Sequence, residues 1–208
     1  MNNHPEPPFS DLDIYFVFGG PGAGKGTICA RLAQELGLAH VCVGDLLRAE
    51  MERCGNDYPA LKPVKQAMEE GRLAPIWAIR MVLMDKLCET KRTVVLLDGF
   101  PRSLEQMEMF QRSFGGAKCG LLFSCSQETM ERRVLNRSQT SNRVDDNLET
   151  LRQRFRQHDE ETMPCVDRLR ERNELVEFHC DGDLDAVYEV VKSKFQELQR
   201  KDKKNKPE

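Results

Sequence analysis

The sequence predicts an α/β fold in which helices cover both faces of a five-stranded parallel sheet. Five short apolar runs, flanked by polar or turn residues, have the character of buried parallel strands. Helical patterns fall between these runs, and strands that alternate with helices are typical of a parallel sheet. We predict the strands at residues 14–18, 40–43, 93–97, 120–123 and 175–179.

Two of the intervening helices carry clear apolar stripes. Residues 27–36 place Ile28, Leu32 and Leu36 on one face of a helix. The last predicted helix has a similar apolar face within residues 187–198. Such stripes are expected where a helix packs against a sheet.

The composition is that of one globular domain. The chain has 208 residues, of which 39% are hydrophobic and 31% charged, with a net charge of −3. This charge gives no broad basic field, and no apolar run reaches membrane-spanning length, so we expect neither a nucleic-acid partner nor a membrane span. The start lacks a signal-peptide pattern, and the eight cysteines show no C-x-x-C pair or metal-like spacing. We therefore expect a reduced, cytoplasmic monomer with disordered ends at 1–11 and 200–208.

Two stretches interrupt the regular alternation. Residues 44–75 contain helical pieces broken by glycines and prolines, and residues 136–147 are almost wholly polar. Both follow or join predicted strands, and open α/β sheets bind their ligands at the carboxyl ends of strands. We predict that both stretches are insertions beside a ligand site.

A glycine-rich segment directly follows the first predicted strand. Residues 19–27 read GGPGAGKGT and lead into the first predicted helix. Glycines let backbone N–H groups wrap around phosphate oxygens, and the helix N-terminus favours an anion. A bare match of this kind can also be an ordinary turn, but the strand before it and the helix after it favour a phosphate-binding P-loop. We call residues 19–27 the phosphate loop.

Three motifs together resemble the adenylate kinase and UMP–CMP kinase family. They are GGPGAGKGT at 19–27, GDLLR at 44–48 and DGFPR at 98–102, and the resemblance extends from about residue 14 to 198. It implies a P-loop three-layer α/β sandwich whose core is 13–41, 75–135 and 147–198. It further implies a helical acceptor segment at 42–74, which binds the nucleoside monophosphate, and a short lid at 136–146.

The activity that the resemblance implies is reversible transfer of a phosphoryl group from Mg²⁺-bound ATP to a nucleoside monophosphate in nucleotide metabolism. Charge stabilisation dominates such reactions, and arginines suit it because they stay charged and bind two oxygens at once. The family pattern assigns catalysis to Lys25, Arg102, Arg137, Arg143 and Arg154. A solvated mixed-charge surface is the alternative interpretation of the last three. Asp98 would hold Mg²⁺ through water, since that ion keeps much of its hydration.

The resemblance also assigns the two nucleotide sites. The ATP site would contain Gly22, Ala23, Gly24, Lys25, Gly26, Thr27, Arg137 and Gly182. The acceptor site would contain Val43, Arg48, Arg72, Leu73, Ala74, Gly99, Phe100, Pro101, Arg102, Gln106, Arg143 and Arg154. The predicted lid contains no cysteine, so no zinc is expected, and Ser138 and Asn142 stand where the family usually has glycine. For His40 and His158 we predict no chemical role.

The acceptor base stays open at this point. Ala23 within the phosphate loop and Phe100 look more like UMP–CMP kinases, whereas Gln106 looks more like adenylate kinases. Val43 replaces the alanine or threonine of those two groups and favours neither. We lean towards UMP or CMP, with AMP as the alternative. A nucleotide-binding relative without turnover, or a P-loop kinase of another small molecule, are the alternatives from other classes.

Overall fold

The computed structural model describes residues 9–55, 58–138 and 148–204. Its strands form one sheet in the order β2-β3-β1-β4-β5, and every pair of neighbouring strands is parallel. The strands are β1 (Asp13–Phe18), β2 (Ala39–Cys42), β3 (Val94–Asp98), β4 (Cys119–Ser124) and β5 (Leu175–His179). The predicted five-stranded parallel sheet is confirmed, and each predicted strand overlaps an observed one.

Helices occupy the connections between the strands. They are α1 (Lys25–Leu36), α2 (Val43–Cys54), α3 (Lys62–Glu69), α4 (Ile76–Glu89), α5 (Leu104–Phe114), α6 (Gln127–Ser138), α7 (Leu148–Gln157), α8 (Met163–Glu171) and α9 (Leu184–Lys204). A 3₁₀ turn at Pro59–Leu61 precedes α3, and a π-helical turn at His158–Thr162 joins α7 to α8. In the part of the chain that the structure describes, no helix combines the length and apolar character needed to cross a membrane.

Two hydrophobic cores lie on opposite faces of the sheet. Because side chains alternate along a strand, Phe16 and Phe18 of β1 enter one core while Tyr15 and Val17 enter the other. The Phe16 face is covered by buried residues of α2, α4, α5 and α8, and the Tyr15 face by buried residues of α1 and α9. This arrangement is the predicted three-layer sandwich.

The structure describes part of each stretch that was predicted as disordered, residues 9–11 and 200–204. Phe9 is buried and packs on Phe114, with 5.4 Å between the ring centroids, although it belongs to the end predicted as disordered at 1–11. At the other end α9 continues to Lys204, into the stretch 200–208. There the Tyr15 hydroxyl donates a hydrogen bond of 2.5 Å to Asp202 and so joins the last turns of α9 to the sheet.

One predicted strand boundary was wrong in a way that matters for the site. We placed Val43 in the second strand, but β2 ends at Cys42 and Val43 is the first residue of α2. Asp45 lies in the first turn of α2, where a negative charge is favourable. The early start of α2 puts Val43 at the carboxyl edge of the sheet, beside the ends of β1 and β3.

Candidate active site

The phosphate loop joins the carboxyl end of β1 to α1. Gly22 and Gly24 adopt the left-handed backbone, with φ of 85° and 89°. A Cβ on Gly22 would lie only 2.3 Å from the Met130 carbonyl oxygen, so the close approach of α6 to the loop requires glycine there. Gly24 is the N-cap of α1. The loop therefore ends at a helix N-terminus, whose free N–H groups and dipole favour an anion.

Lys25 is held against the loop that precedes it. Its ammonium donates hydrogen bonds to the carbonyls of Gly19, at 2.7 Å, and Gly20, at 2.9 Å. Burial lowers the pKa of Lys25 to about 8; Asp98 opposes this change, whereas Arg102 and Arg154 add to it. Lys25 is thus charged at neutral pH and belongs to one electrostatic cluster with Asp98 and the two arginines.

Asp98 is the last residue of β3 and is 5% exposed. Its Oδ2 lies 3.0 Å from Nε2 of His40. A Cβ added to Gly26 would lie 3.6 Å from the same oxygen, so the carboxylate faces the phosphate loop. Sequence reasoning missed the role of His40. A histidine in a strand next to the one that ends in Asp98 was the signal that could have suggested the contact.

The Asp98 carboxylate fits a magnesium ion held through water. Among the residues that the structure describes, no group of three His, Cys, Asp or Glu side chains could hold a metal ion directly. Mg²⁺ usually keeps several waters and binds through one or two carboxylates plus the phosphates of its nucleotide. One buried carboxylate facing the loop meets that requirement.

A single cavity of about 830 Å³ lies over the carboxyl edge of the sheet. It brings together most of the residues predicted for the two nucleotide sites. The residues that line it include Gly22, Ala23, Gly24, Lys25, Gly26, Thr27, Val43, Arg48, Arg72, Leu73, Ala74, Asp98, Gly99, Phe100, Arg102, Gln106, Arg137 and Arg154. The phosphate loop and the acceptor segment thus share one space.

Two of the predicted residues that the structure describes, Gly182 and Pro101, do not line this cavity. Gly182 lies at its margin, where its carbonyl accepts a 3.4 Å hydrogen bond from Arg133. Pro101 borders a smaller cavity behind the phosphate loop. Arg143 lies outside the described residues, as do Asn142 and the lid from residue 139 onward.

The acceptor side of the cavity combines cations with a buried amide. Arg48 contacts Asp45 at 2.5 Å, and the Arg102 guanidinium donates to the Gly99 carbonyl at 2.9 Å. Gln106 is buried, and its Oε1 accepts a 2.9 Å hydrogen bond from the Arg102 backbone N–H. This bond assigns the amide orientation, because only the oxygen can accept. Within the described residues Nε2 of Gln106 has no hydrogen-bond partner and can donate to a ligand.

The other side of the cavity contains residues that the sequence did not single out. Arg133 of α6 donates to the carbonyl of Cys180 at 3.0 Å and so holds the loop that leads into α9. Leu184 and Val187 of α9 also line the cavity and give this side an apolar wall. Arg133 lies in an arginine-rich helix, so no signal separated it from its neighbours.

A second cavity, of about 40 Å³, lies behind the phosphate loop. It is bordered by Lys25, Arg102, Arg154 and His158. Burial lowers the pKa of His158, and its Nε2 is buried without a hydrogen-bond partner among the described residues. The His158 ring therefore lies at the back of the cationic cluster, a placement that sequence reasoning did not foresee.

Comparisons with known proteins agree with this architecture. The sequence model of the family described as "Adenylate kinase" matches residues 17–174. The chain is 40% identical over 181 residues to a uridylate kinase of Schizosaccharomyces pombe, covering 85% of this chain and 94% of that protein. It is 37% identical over 187 residues to adenylate kinase 1 of Schistosoma mansoni, covering 89% and 93%. It is 34% identical over 215 residues to a UMP–CMP kinase of Lentinula edodes, covering 95% and 92%.

The family model spans most of the chain and includes the end of β1, the phosphate loop, Asp98 and the arginines of α6 and α7. The chain also covers nearly the whole length of each of these relatives. This chain therefore belongs to the adenylate kinase family.

Proposed function

We propose that this protein is a nucleoside monophosphate kinase that transfers the terminal phosphoryl group of ATP reversibly to UMP or CMP, in preference to AMP. The observation that carries the proposal is the shared cavity. The phosphate loop forms one wall, the acceptor segment forms the opposite wall, and Lys25, Arg102 and Arg154 form one electrostatic cluster at this cavity. A donor and an acceptor phosphate bound on these walls would meet beside that cluster.

The chemistry of phosphoryl transfer matches what these residues supply. The moving group spreads negative charge over its equatorial oxygens, so catalysis consists mostly of positioning and electrostatic stabilisation. The backbone of the phosphate loop would bind the ATP phosphates, with Lys25 on their β and γ oxygens. Arg102 and Arg154 would hold the acceptor phosphate and the moving group, and Arg48 the acceptor phosphate. Magnesium bound through Asp98 would neutralise phosphate charge.

The proposed preference for a pyrimidine rests on the side chains at the acceptor wall and on the relatives. Val43 offers no hydrogen bond at the cavity wall, and Gln106 offers one donor while its Oε1 is already engaged by the Arg102 backbone. UMP and CMP both present carbonyl oxygens that could accept from Nε2. Of the three relatives described above, two are named for uridylate or UMP–CMP and one for adenylate. AMP is therefore the alternative acceptor, supported by the buried amide and by the Schistosoma relative.

The test is ADP formation from ATP and Mg²⁺ with AMP, UMP, CMP and GMP in parallel. We expect the highest kcat/KM with UMP or CMP. Highest kcat/KM with AMP would make the protein an adenylate kinase and overturn the pyrimidine preference. Absence of turnover with all four, despite ATP binding, would overturn the kinase proposal and favour a non-catalytic nucleotide-binding role.

The remaining parts of the proposal rest on the sequence. We propose that Arg143 joins the cationic cluster from the lid at 136–146, and that the chain acts as a cytoplasmic monomer without zinc. Chromatography with light scattering on the purified protein tests the monomer, since a mass near twice the 23.9 kDa of one chain would contradict it.

A further inference from the structure

The helix that carries Arg154 also contacts the acceptor segment. Thr150 donates a hydrogen bond of 3.1 Å to the Glu69 carbonyl at the end of α3. About two turns later in α7, the Gln157 amide lies against the loop that follows α3 and satisfies two of its backbone groups. With the amide orientation assigned so that both neighbours are satisfied, Nε2 donates to the Gly71 carbonyl at 3.3 Å and Oε1 accepts from the Leu73 N–H at 2.9 Å. Gln157 is only 6% exposed.

These contacts matter because the loop between α3 and α4 lacks regular structure. Residues 72–75 belong to no helix or strand. The Arg72 N–H donates to the Ala67 carbonyl of α3 at 2.8 Å, whereas the Leu73 N–H needs an acceptor from elsewhere. A buried amide that offers one donor and one acceptor fits this need. Gly71 adopts φ of 68°, and a Cβ there would lie 3.0 Å from Thr150, which shows how closely α7 approaches the loop.

The same helical segment reaches the acceptor site at two further points. Arg154, three residues before Gln157, lines the main cavity. Its Cγ would lie 3.2 Å from a Cβ added to Gly71, so its aliphatic stem passes close to the loop. Thr162, in the π-helical turn after α7, donates a 3.1 Å hydrogen bond to the Arg102 carbonyl. The segment thus holds the loop at 71–73 in a defined place relative to two cations of the site.

We propose that Gln157 is a positioning residue for the acceptor site, which sets the Gly71–Leu73 backbone against Arg154 so that the nucleoside monophosphate binds. The inference rests on the proposed function, because Arg72, Leu73 and Ala74 are assigned to acceptor binding there. Gln157 itself does not touch the substrate. Loss of the Gln157 hydrogen bonds should therefore weaken binding of the monophosphate and not of ATP. Loss of a residue that only stabilises the fold would weaken the binding of both substrates.

The kinetic test uses Gln157→Met, which keeps the length and volume of the side chain but removes both hydrogen bonds. We expect the KM of the monophosphate to rise about tenfold, the factor that corresponds to ~1.4 kcal/mol. The KM of ATP should stay within about twofold. Gln111→Met, at an exposed position of α5, is the matched control and should leave both KM values unchanged. An equal rise in both KM values for Gln157→Met, or no rise in either, would overturn the proposal.

A second readout does not depend on activity. Leu73 donates its N–H to Gln157, so its amide hydrogen exchange should be slow in the wild type and faster in Gln157→Met. Unchanged exchange would show that the contact is not formed in solution and would overturn the inference. If the wild type turned over no monophosphate, the proposed function would fail while this exchange experiment still reported on Gln157.

Thr150→Val provides the same test if Gln157→Met does not fold. It removes the hydroxyl that holds the Glu69 carbonyl and preserves the shape of the side chain. We expect the same selective rise in the monophosphate KM, smaller because one hydrogen bond is lost rather than two. A rise confined to the ATP KM would contradict the proposal.

Discussion

The buried charge of Lys25 serves the proposed function but lowers the free energy of unfolding of the protein. Its ammonium is partly buried within a cluster that also contains Arg102 and Arg154, and its pKa is lowered to about 8. The folded state therefore favours the neutral amine more than the unfolded state does, where the pKa is near 10.5. Holding the charge at neutral pH costs free energy, which a phosphate ligand would offset.

Lys25→Met tests this cost directly. Turnover should fall by at least about a hundredfold, since a charge that stabilises the moving phosphoryl group is removed. The free energy of unfolding at pH 7 should rise, because the buried charge is gone. Between about pH 8 and 10.5 the unfolded wild type binds more protons than the folded one, so wild-type stability gains with pH and the difference from Lys25→Met should narrow.

Denaturant unfolding at several pH values, together with the ADP assay, measures both effects. Lys91→Met, at an exposed position before β3, is the matched control and should change neither turnover nor stability appreciably. A Lys25→Met variant with near-normal turnover would remove Lys25 from the catalytic group. A clear decrease in the free energy of unfolding of Lys25→Met at pH 7 would contradict the prediction that the buried charge of Lys25 destabilises the fold.

At the scale of the elements, the phosphate loop depends on its fit against α6. Gly22 lies under the Met130 carbonyl, and Gly20 lies near the Met130 side chain. The loop is thus shaped from one side by its own glycines and from the other by a helix that is distant in sequence. A side chain at Gly22 has to displace either the loop or the backbone of α6.

Gly22→Ala should therefore disturb ATP binding strongly. We expect the KM of ATP to rise tenfold or more and the free energy of unfolding to fall by ~1–3 kcal/mol, because a positive φ and a backbone collision both oppose the methyl group. Gly55→Ala separates the two causes. Gly55 also has a positive φ, of 83°, but no described atom lies within 4 Å of an added Cβ.

Steady-state kinetics and thermal unfolding of the two variants give the comparison. Gly55→Ala should lose some stability and leave the KM of ATP unchanged. If Gly22→Ala behaved like Gly55→Ala in both measurements, the collision with Met130 would not control the shape of the loop.

At the scale of the whole molecule, sequence patterns predicted the strands and helices, because their apolar residues recur at regular short spacings. The apolar runs located all five strands, because parallel strands buried on both faces are apolar along their length. The phosphate loop followed from its glycines between a strand and a helix, and most of the other predicted cavity residues followed from the family resemblance. Val43 was misplaced because a valine at the end of an apolar run fits a strand as well as the first turn of a helix.

What the sequence could not predict depends on contacts between distant segments. His40 pairs with Asp98 across two strands, and Gln157 holds a loop more than eighty residues earlier in the chain. Tyr15 donates to Asp202 in the last described turns of α9, a contact that the charged tail pattern gave no sign of. A glutamine or a histidine carries no periodic signal, and its role appears only when the fold brings its partner near.

In the proposed function, this cavity transfers a phosphoryl group between two bound nucleotides. The most direct measurement follows the phosphoryl group itself, using ATP labelled in its terminal phosphoryl group, Mg²⁺ and excess UMP. We predict that the label appears in UDP in the wild type and that Lys25→Met gives almost none. Label that accumulates as inorganic phosphate, with UMP unchanged, would identify an ATPase and contradict the account.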